Sequence, residues 1–238
     1  MLKGMTKYHL LALLREPMNL VFGFALPFFF LFLGATGDEG AEVVSMVFIP
    51  MYMTIAIMVL CFTDSAMSHA YARQIKFLRL LRMTPIKPIK YIFSGILSRM
   101  GALCIFTVVF IGVATVLYDL NLARINLLLF IAVMVLIFAM FYVIGMFTAN
   151  VLKGAKNSQS LVYVVFFALL IIGGNAAIQA HHLPEILQTL VRFLPPAQAL
   201  FALQSAWMES SVPLWYIIGM VAYTAVFGLL SLKIFKFE

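Results

Sequence analysis

YARQIKFLRLLRMTPIKPIK, residues 71–90, decides how the rest of the chain is arranged: it holds six of the sixteen Lys and Arg residues and lies between two long apolar runs. A helix over 71–83, advancing about 100° per residue, gathers Tyr71, Phe77, Leu78 and Leu81 on one side and Arg73, Lys76, Arg79 and Arg82 on the other. Thr84-Pro85 ends it, because proline disfavours the helical conformation in the residue before it, and Pro88 keeps the chain from resuming at once. Such a basic amphipathic helix is suited to a surface, either anionic lipid or a cytoplasmic partner.

The flanking runs set the class. With 64% hydrophobic and 11% charged residues in 238, and a mean hydropathy of +1.08, the chain is an integral membrane protein, since soluble domains average about half apolar and a quarter charged. The net charge of +7 falls between apolar runs rather than along one face, which fits membrane topology and excludes nucleic-acid binding for want of a reading motif. Cys61 and Cys104 sit inside apolar runs and offer no disulfide framework. The first apolar run is long enough to span and is preceded by Lys3, Lys7 and Arg15, so an uncleaved anchor is expected rather than a signal peptide.

Working outward, six spans are expected at 19–35, 43–62, 91–117, 127–147, 161–178 and 212–235 within a single transmembrane domain over 1–238. Residues 1–17 form an amphipathic helix on the inner face, and Pro27 kinks the first span. Asp38, Glu39 and Glu42 mark an outer turn, while Asp64, at the inner end of the second span, caps the next helix or pairs with a neighbouring base. Arg99 lies near the inner interface of the third span. Gly173-Gly174-Asn175 interrupts the fifth span near its outer end. The run 181–196, HHLPEILQTLVRFLPP, is too short to cross and reads as an outer interfacial or re-entrant helix, started by Pro184 and stopped by Pro195-Pro196. A short helix over 200–208 follows, and Trp207, Trp215 and Tyr216 are expected as outer-interface anchors. With both termini inside, only Arg124 and Arg192 of the sixteen basic residues fall outside, the separation that the positive-inside bias predicts.

Ionisable groups inside spans are costly and mark chemistry, and the span interiors read as nearly free of them. His9, His69, His181 and His182 lack metal-site spacing and read as interfacial, so no metal site is expected. No G-x-x-x-x-G-K-[ST] phosphate loop occurs, so ATP energy, if used, comes from another polypeptide.

The run ending in LRMTPI, residues 78–86 at its best-fitting part, resembles the cytoplasmic signature of ABC-2 type transporter permeases: a glutamate, Gly-Thr, and a Leu/Arg-rich helix closed by Thr-Pro. The first half departs from that pattern, with Lys76-Phe77 in place of Gly-Thr and Arg73 and Gln74 where acidic residues are usual. A second match, GGNAAIQAHHLPEILQTLVRFLPPAQAL, is similar to the family's outer run of small residues, Leu-Pro-Glu helix start, short helix and proline. Together, in order and on opposite sides of a six-span chain, the two are fairly specific, and the resemblance covers essentially the whole chain.

The resemblance implies a half-size exporter permease that is not itself an enzyme, placed in the cell membrane with both termini cytoplasmic. It implies assembly with a second copy or a similar permease and with two cytoplasmic ATPase subunits that carry ATP and Mg; this chain binds no cofactor. Arg73, Lys76, Arg79, Arg82, Thr84 and Pro85 are then the ATPase-coupling residues. Gly173, Gly174, Asn175, Leu183, Pro184, Glu185, Pro195 and Pro196 form the outer gate. Met51, Tyr52, Ile55, Met58, Val59, Phe62, Phe166, Phe167 and Leu170 line a Met-rich, aromatic conduit if their helices face the subunit interface, which suits a peptide, drug, antibiotic or lipid-linked molecule. The alternative is an ion-coupled carrier or channel acting alone, which requires intramembrane carboxylates or rings of charge. A membrane-embedded enzyme requires a clustered acid, base or metal set.

Overall fold

The computed structural model describes residues 11, 21–36, 47–74, 88–120, 125–152, 158–171, 184–209 and 211–234, and every regular element among them is helical. A π turn at Val21–Ala25 leads into α1 (Leu26–Thr36). Pro27 follows that π turn directly and so lies within one continuous helical run, where it has no N–H to bond back to the preceding turn. α2 (Ile49–Met58) continues through a second π turn, Val59–Thr63, into α3 (Asp64–Gln74). The second span therefore does not close at residue 62: the helix runs on to Gln74 and takes in the start of the basic segment. Then come α4 (Pro88–Tyr118) and α5 (Leu127–Val151), the latter capped by Asn126, whose side chain accepts from the Leu129 N–H at 3.2 Å. Pro88 corrects a second expectation, for it opens α4 instead of delaying it; its φ is pre-set for a helix and the N–H it lacks would have no intrahelical partner there. α6 (Ser158–Leu169), α7 (Glu185–Phe193), α8 (Pro195–Met208) and α9 (Leu214–Ile234) complete the order.

Four helices among the described residues are long and apolar enough to cross a membrane: Ile49–Ala72, Phe93–Tyr118, Leu127–Val151 and Leu214–Ser231. Two shorter apolar helices, Gly23–Gly34 and Ser160–Leu169, lie where the first and fifth spans are expected. The central helix is α2–α3, whose span is 89% buried, against 28% for α4 and 17% for α9. The outer two therefore leave most of their apolar surface to lipid or to another chain.

Side-chain contacts give the helix directions. α1 and α4 run the same way, because Phe24 packs edge-on against Phe106, Phe28 against Phe110, and the Tyr118 hydroxyl donates to the Leu31 carbonyl at 2.7 Å. α2 runs opposite to α1: Phe30 stacks on Tyr52, and Gly23 approaches Leu60. α5 and α9 run together, with Phe147 against Phe227 and the Asn150 amide donating to Ser231 Oγ at 3.1 Å. At Gly145 of α5 an added Cβ would collide with Ser65 Oγ and the Phe62 carbonyl, so a glycine is what lets the two helix backbones meet.

α7 and α8 form a helical hairpin. Leu194 between them is extended (φ −67°, ψ 141°), and Pro195-Pro196 then begin α8, so the prolines stop one helix and start the next, at residue 195 rather than 200. The Tyr223 hydroxyl donates to the Phe193 carbonyl at 2.6 Å. At 1.5 Å of rise per residue, Tyr223 stands roughly 13 Å along α9 from Leu214. The corner thus reaches well into the bundle and α8 returns beside α9, Gln198 against Gly219 and Phe201 against Tyr216. α8 packs on α2, α5 and α9 through Ala199, Ala202, Leu203 and Ala206. Trp207, expected as an interface anchor, is instead a core residue, 6% exposed and 5.2 Å from the Phe130 ring, because the small residues on α8 let it sink between helices. Trp215 is exposed and Tyr216 half-buried, at the start of α9.

Candidate functional site

The span interiors are not free of charge. Asp64 and Arg99, 1% and 4% exposed, form an ion pair through Oδ2 and Nε, inside two of the membrane-length helices. The preceding π turn, with Thr63 Oγ1 donating to the Val59 carbonyl, shifts the helical register just before Asp64. Arg99 is satisfied on several sides: Nη1 donates to the Gly95 carbonyl at 3.0 Å, Nη2 to Ser68 Oγ at 3.0 Å and to the Asp64 carbonyl at 3.4 Å. Its guanidinium also lies 5.5 Å from the centre of the Tyr142 ring on α5. Ser65 Oγ adds a link, donating to the Phe62 carbonyl at 3.0 Å with the Tyr142 carbonyl at 3.3 Å.

Three helices are thus tied at one level by a neutral, hydrogen-bonded pair. The expectation that Asp64 pairs with a neighbouring base is met, but by Arg99, 35 positions away, and inside the bundle rather than at its rim. A signal was present in the sequence: Asp64 and Arg99 are an acid and a base that each border a long apolar run, and either costs several kcal/mol in hydrocarbon unless they meet.

The segment between α3 and α4 is the one expected to couple to an ATPase. Arg73 lies in the last turn of α3, continuous with the second span. Lys76, Arg79, Arg82, Thr84 and Pro85 lie outside the described residues, as does most of the proposed 71–83 helix. The clamp joins the two helices that enter and leave this segment, below which the chain has no described structure until Pro88.

Of the gate residues, Pro184 is the N-cap of α7 and Glu185 its first residue, while Pro195 and Pro196 are buried at the start of α8. Gly173, Gly174, Asn175 and Leu183 lie outside the described residues. Among the conduit residues, Tyr52, Met58, Val59, Phe62 and Phe166 are buried within this chain, Met51, Ile55 and Leu170 are half-buried, and Phe167 is exposed. Among the described residues no group of His, Cys, Asp and Glu is arranged to hold a metal.

No curated protein and no solved structure gives a significant match to the chain. The family model described as ABC-2 type transporter matches residues 2–208, from the first residues through the end of α8. The chain therefore belongs to the ABC-2 type transporter family and is the membrane-embedded permease component of an ABC transporter.

Proposed function

We propose that this permease has six spans with both termini in the cytoplasm of the cell, pairs with a second copy or a similar permease, and exports an amphipathic or hydrophobic molecule using two separate cytoplasmic ATPase subunits. ATP and Mg belong to those subunits. The observation that carries the reading is the Asp64–Arg99 clamp: it joins the two helices flanking the basic 71–90 segment, so a push on that segment moves both helices together. Two helices locked as one rigid body are what a lever needs. Arg73, Lys76, Arg79 and Arg82 meet the ATPase, and Thr84-Pro85 ends the lever. At the opposite end, the α7–α8 hairpin with Pro184, Pro195 and Pro196 closes the outer mouth, together with residues 173–175. Met51, Ile55, Phe167 and Leu170, which this chain leaves partly or wholly uncovered, face the conduit, and the buried members behind them set its wall.

The test is co-purification of the ATPase subunit with Arg79 and Arg82 both replaced by Glu. An exposed ion pair contributes only about 0–1 kcal/mol, so Arg79→Ala alone is tolerated, whereas the double reversal turns attraction into repulsion and weakens docking. Intact co-purification and intact ATP-driven transport in that variant sink the coupling assignment.

A second reading, the ion-coupled carrier, is favoured by one observation: an intramembrane carboxylate, Asp64, does exist. Its pairing with Arg99 argues for a structural use. Transport that follows a proton gradient and ignores ATP would decide for the carrier.

A further inference from the structure

Between the α7–α8 corner and the exposed side of α9 lies an open groove of about 470 Å³, lined by Phe193, Trp215, Ile218, Ala222, Tyr223 and Val226, with Gln198 at its base. The volume is that of a small-molecule site. Its walls are held in place: the Tyr223 hydroxyl is bonded to the Phe193 carbonyl, Phe193 meets Trp215 edge-on at 6.5 Å, and the Trp215 and Tyr216 ring centres are 3.6 Å apart. Gln198 is 2% exposed and its amide sits in the notch left by Gly219, where a Cβ would strike it. The groove is therefore a formed feature of the least buried of the four membrane-length helices among the described residues.

Arg192 immediately precedes Phe193 and is exposed. Among the described residues no carboxylate lies within ion-pair distance of it. The Arg192 backbone adjoins Phe193, whose side chain forms one wall of the groove, which puts the guanidinium within reach of the groove's edge. A guanidinium facing lipid is costly unless it reaches an anion or water. Phosphate offers the bidentate acceptor that a guanidinium suits best.

We propose that this groove is a binding site for an anionic phospholipid, one acyl chain lying along Trp215, Ala222 and Val226 and the phosphate paired with Arg192. Phosphatidylglycerol, which carries one net negative charge, is the simplest lipid of this class. The site depends on the membrane placement of α9 but not on the ATPase partnership.

The chain has two tryptophans, so Trp207→Phe leaves Trp215, in the groove wall, as the only reporter. The full-length Trp207→Phe permease in dodecyl maltoside micelles is titrated with phosphatidylglycerol carrying brominated acyl chains and, separately, with brominated phosphatidylcholine. The expected result is saturable quenching of Trp215, with phosphatidylglycerol bound about fivefold more tightly than zwitterionic phosphatidylcholine, the preference of one Lys or Arg for net-anionic lipid. Arg192→Gln or raised salt should remove that preference, and Ala222→Phe should abolish saturable quenching. Equal quenching by the two lipids, unchanged by Arg192→Gln, means adventitious partitioning and overturns the site. So does a wild-type dimer that no lipid quenches and that Ala222→Phe splits, since a second copy would then cover the groove. Should Ala222→Phe fail to fold, the Arg192→Gln and salt arms decide the matter alone.

Discussion

Removing one member of the Asp64–Arg99 pair should damage the permease more than removing both. Arg99→Met leaves the Asp64 carboxylate, 1% exposed, with the Ser68 hydroxyl at 3.4 Å as its side-chain hydrogen-bond partner among the described residues. Stranding a buried charge in this way costs about 3–5 kcal/mol. Asp64→Leu should fall at the lower end, about 3 kcal/mol, because Arg99 keeps the Gly95 carbonyl, Ser68 Oγ and the Tyr142 ring. The double variant replaces the pair by apolar side chains of similar length and should lie within about 1–2 kcal/mol of the wild type, as such swaps commonly do. The singles would then sum to at least about 4 kcal/mol more than the double, far beyond the roughly 0.5 kcal/mol scatter of independent sites. Each single loss is also a large fraction of a typical stability of about 5–15 kcal/mol. The assay is unfolding in mixed micelles of rising SDS content, followed by the fluorescence of Trp207, which is buried against Phe130. Single variants each costing less than about 1 kcal/mol and adding to the double would refute the reasoning: the pair would be hydrated and the three helices not clamped.

The close helix approach at Gly145 predicts that Gly145→Ala loses roughly 1–3 kcal/mol by overpacking, read as a lower midpoint in the same micelle titration. Gly101→Ala meets nothing within 4 Å and should be neutral or stabilising by up to about 1 kcal/mol; equal effects at the two glycines would dismiss the contact. Replacing Pro195 and Pro196 by Ala should let helix run through Leu194 and displace the hairpin corner from Tyr223, abolishing transport while ATPase co-purification persists. Unaffected transport would reduce the hairpin to a packing element. For topology, Gly40→Cys and Glu209→Cys should react with an impermeant thiol reagent from outside and Lys156→Cys should not. The background must carry Cys104→Ser, because Cys104 is exposed on α4 whereas Cys61 is buried; labelling of position 156 alone would overturn the six-span arrangement.

Hydropathy and charge alone placed three of the four membrane-length helices among the described residues. Spans expected at 91–117, 127–147 and 212–235 correspond to α4, α5 and α9 within a few residues, because long apolar runs and their polar ends are properties of consecutive residues. The prolines of 181–196 were equally legible, since Pro184 and Pro195-Pro196 act on their own backbone and set the ends of α7. The LRMTPI and LPE runs carried the family, which the match over 2–208 bears out. What lay beyond reach was anything decided by which face meets which. A span is apolar all round, so its sequence does not say that α2 is central and α9 peripheral, or that Trp207 is interior while Trp215 is not. The continuation of α2 through a π turn to Gln74 escaped notice because Asp64 read as an end of the membrane, when in fact Arg99 neutralises it from another helix. A charge reads as a boundary so long as its partner is unknown, and only the tertiary structure brings residue 64 and residue 99 together, turning two apparent edges of the bilayer into one bond inside the bundle.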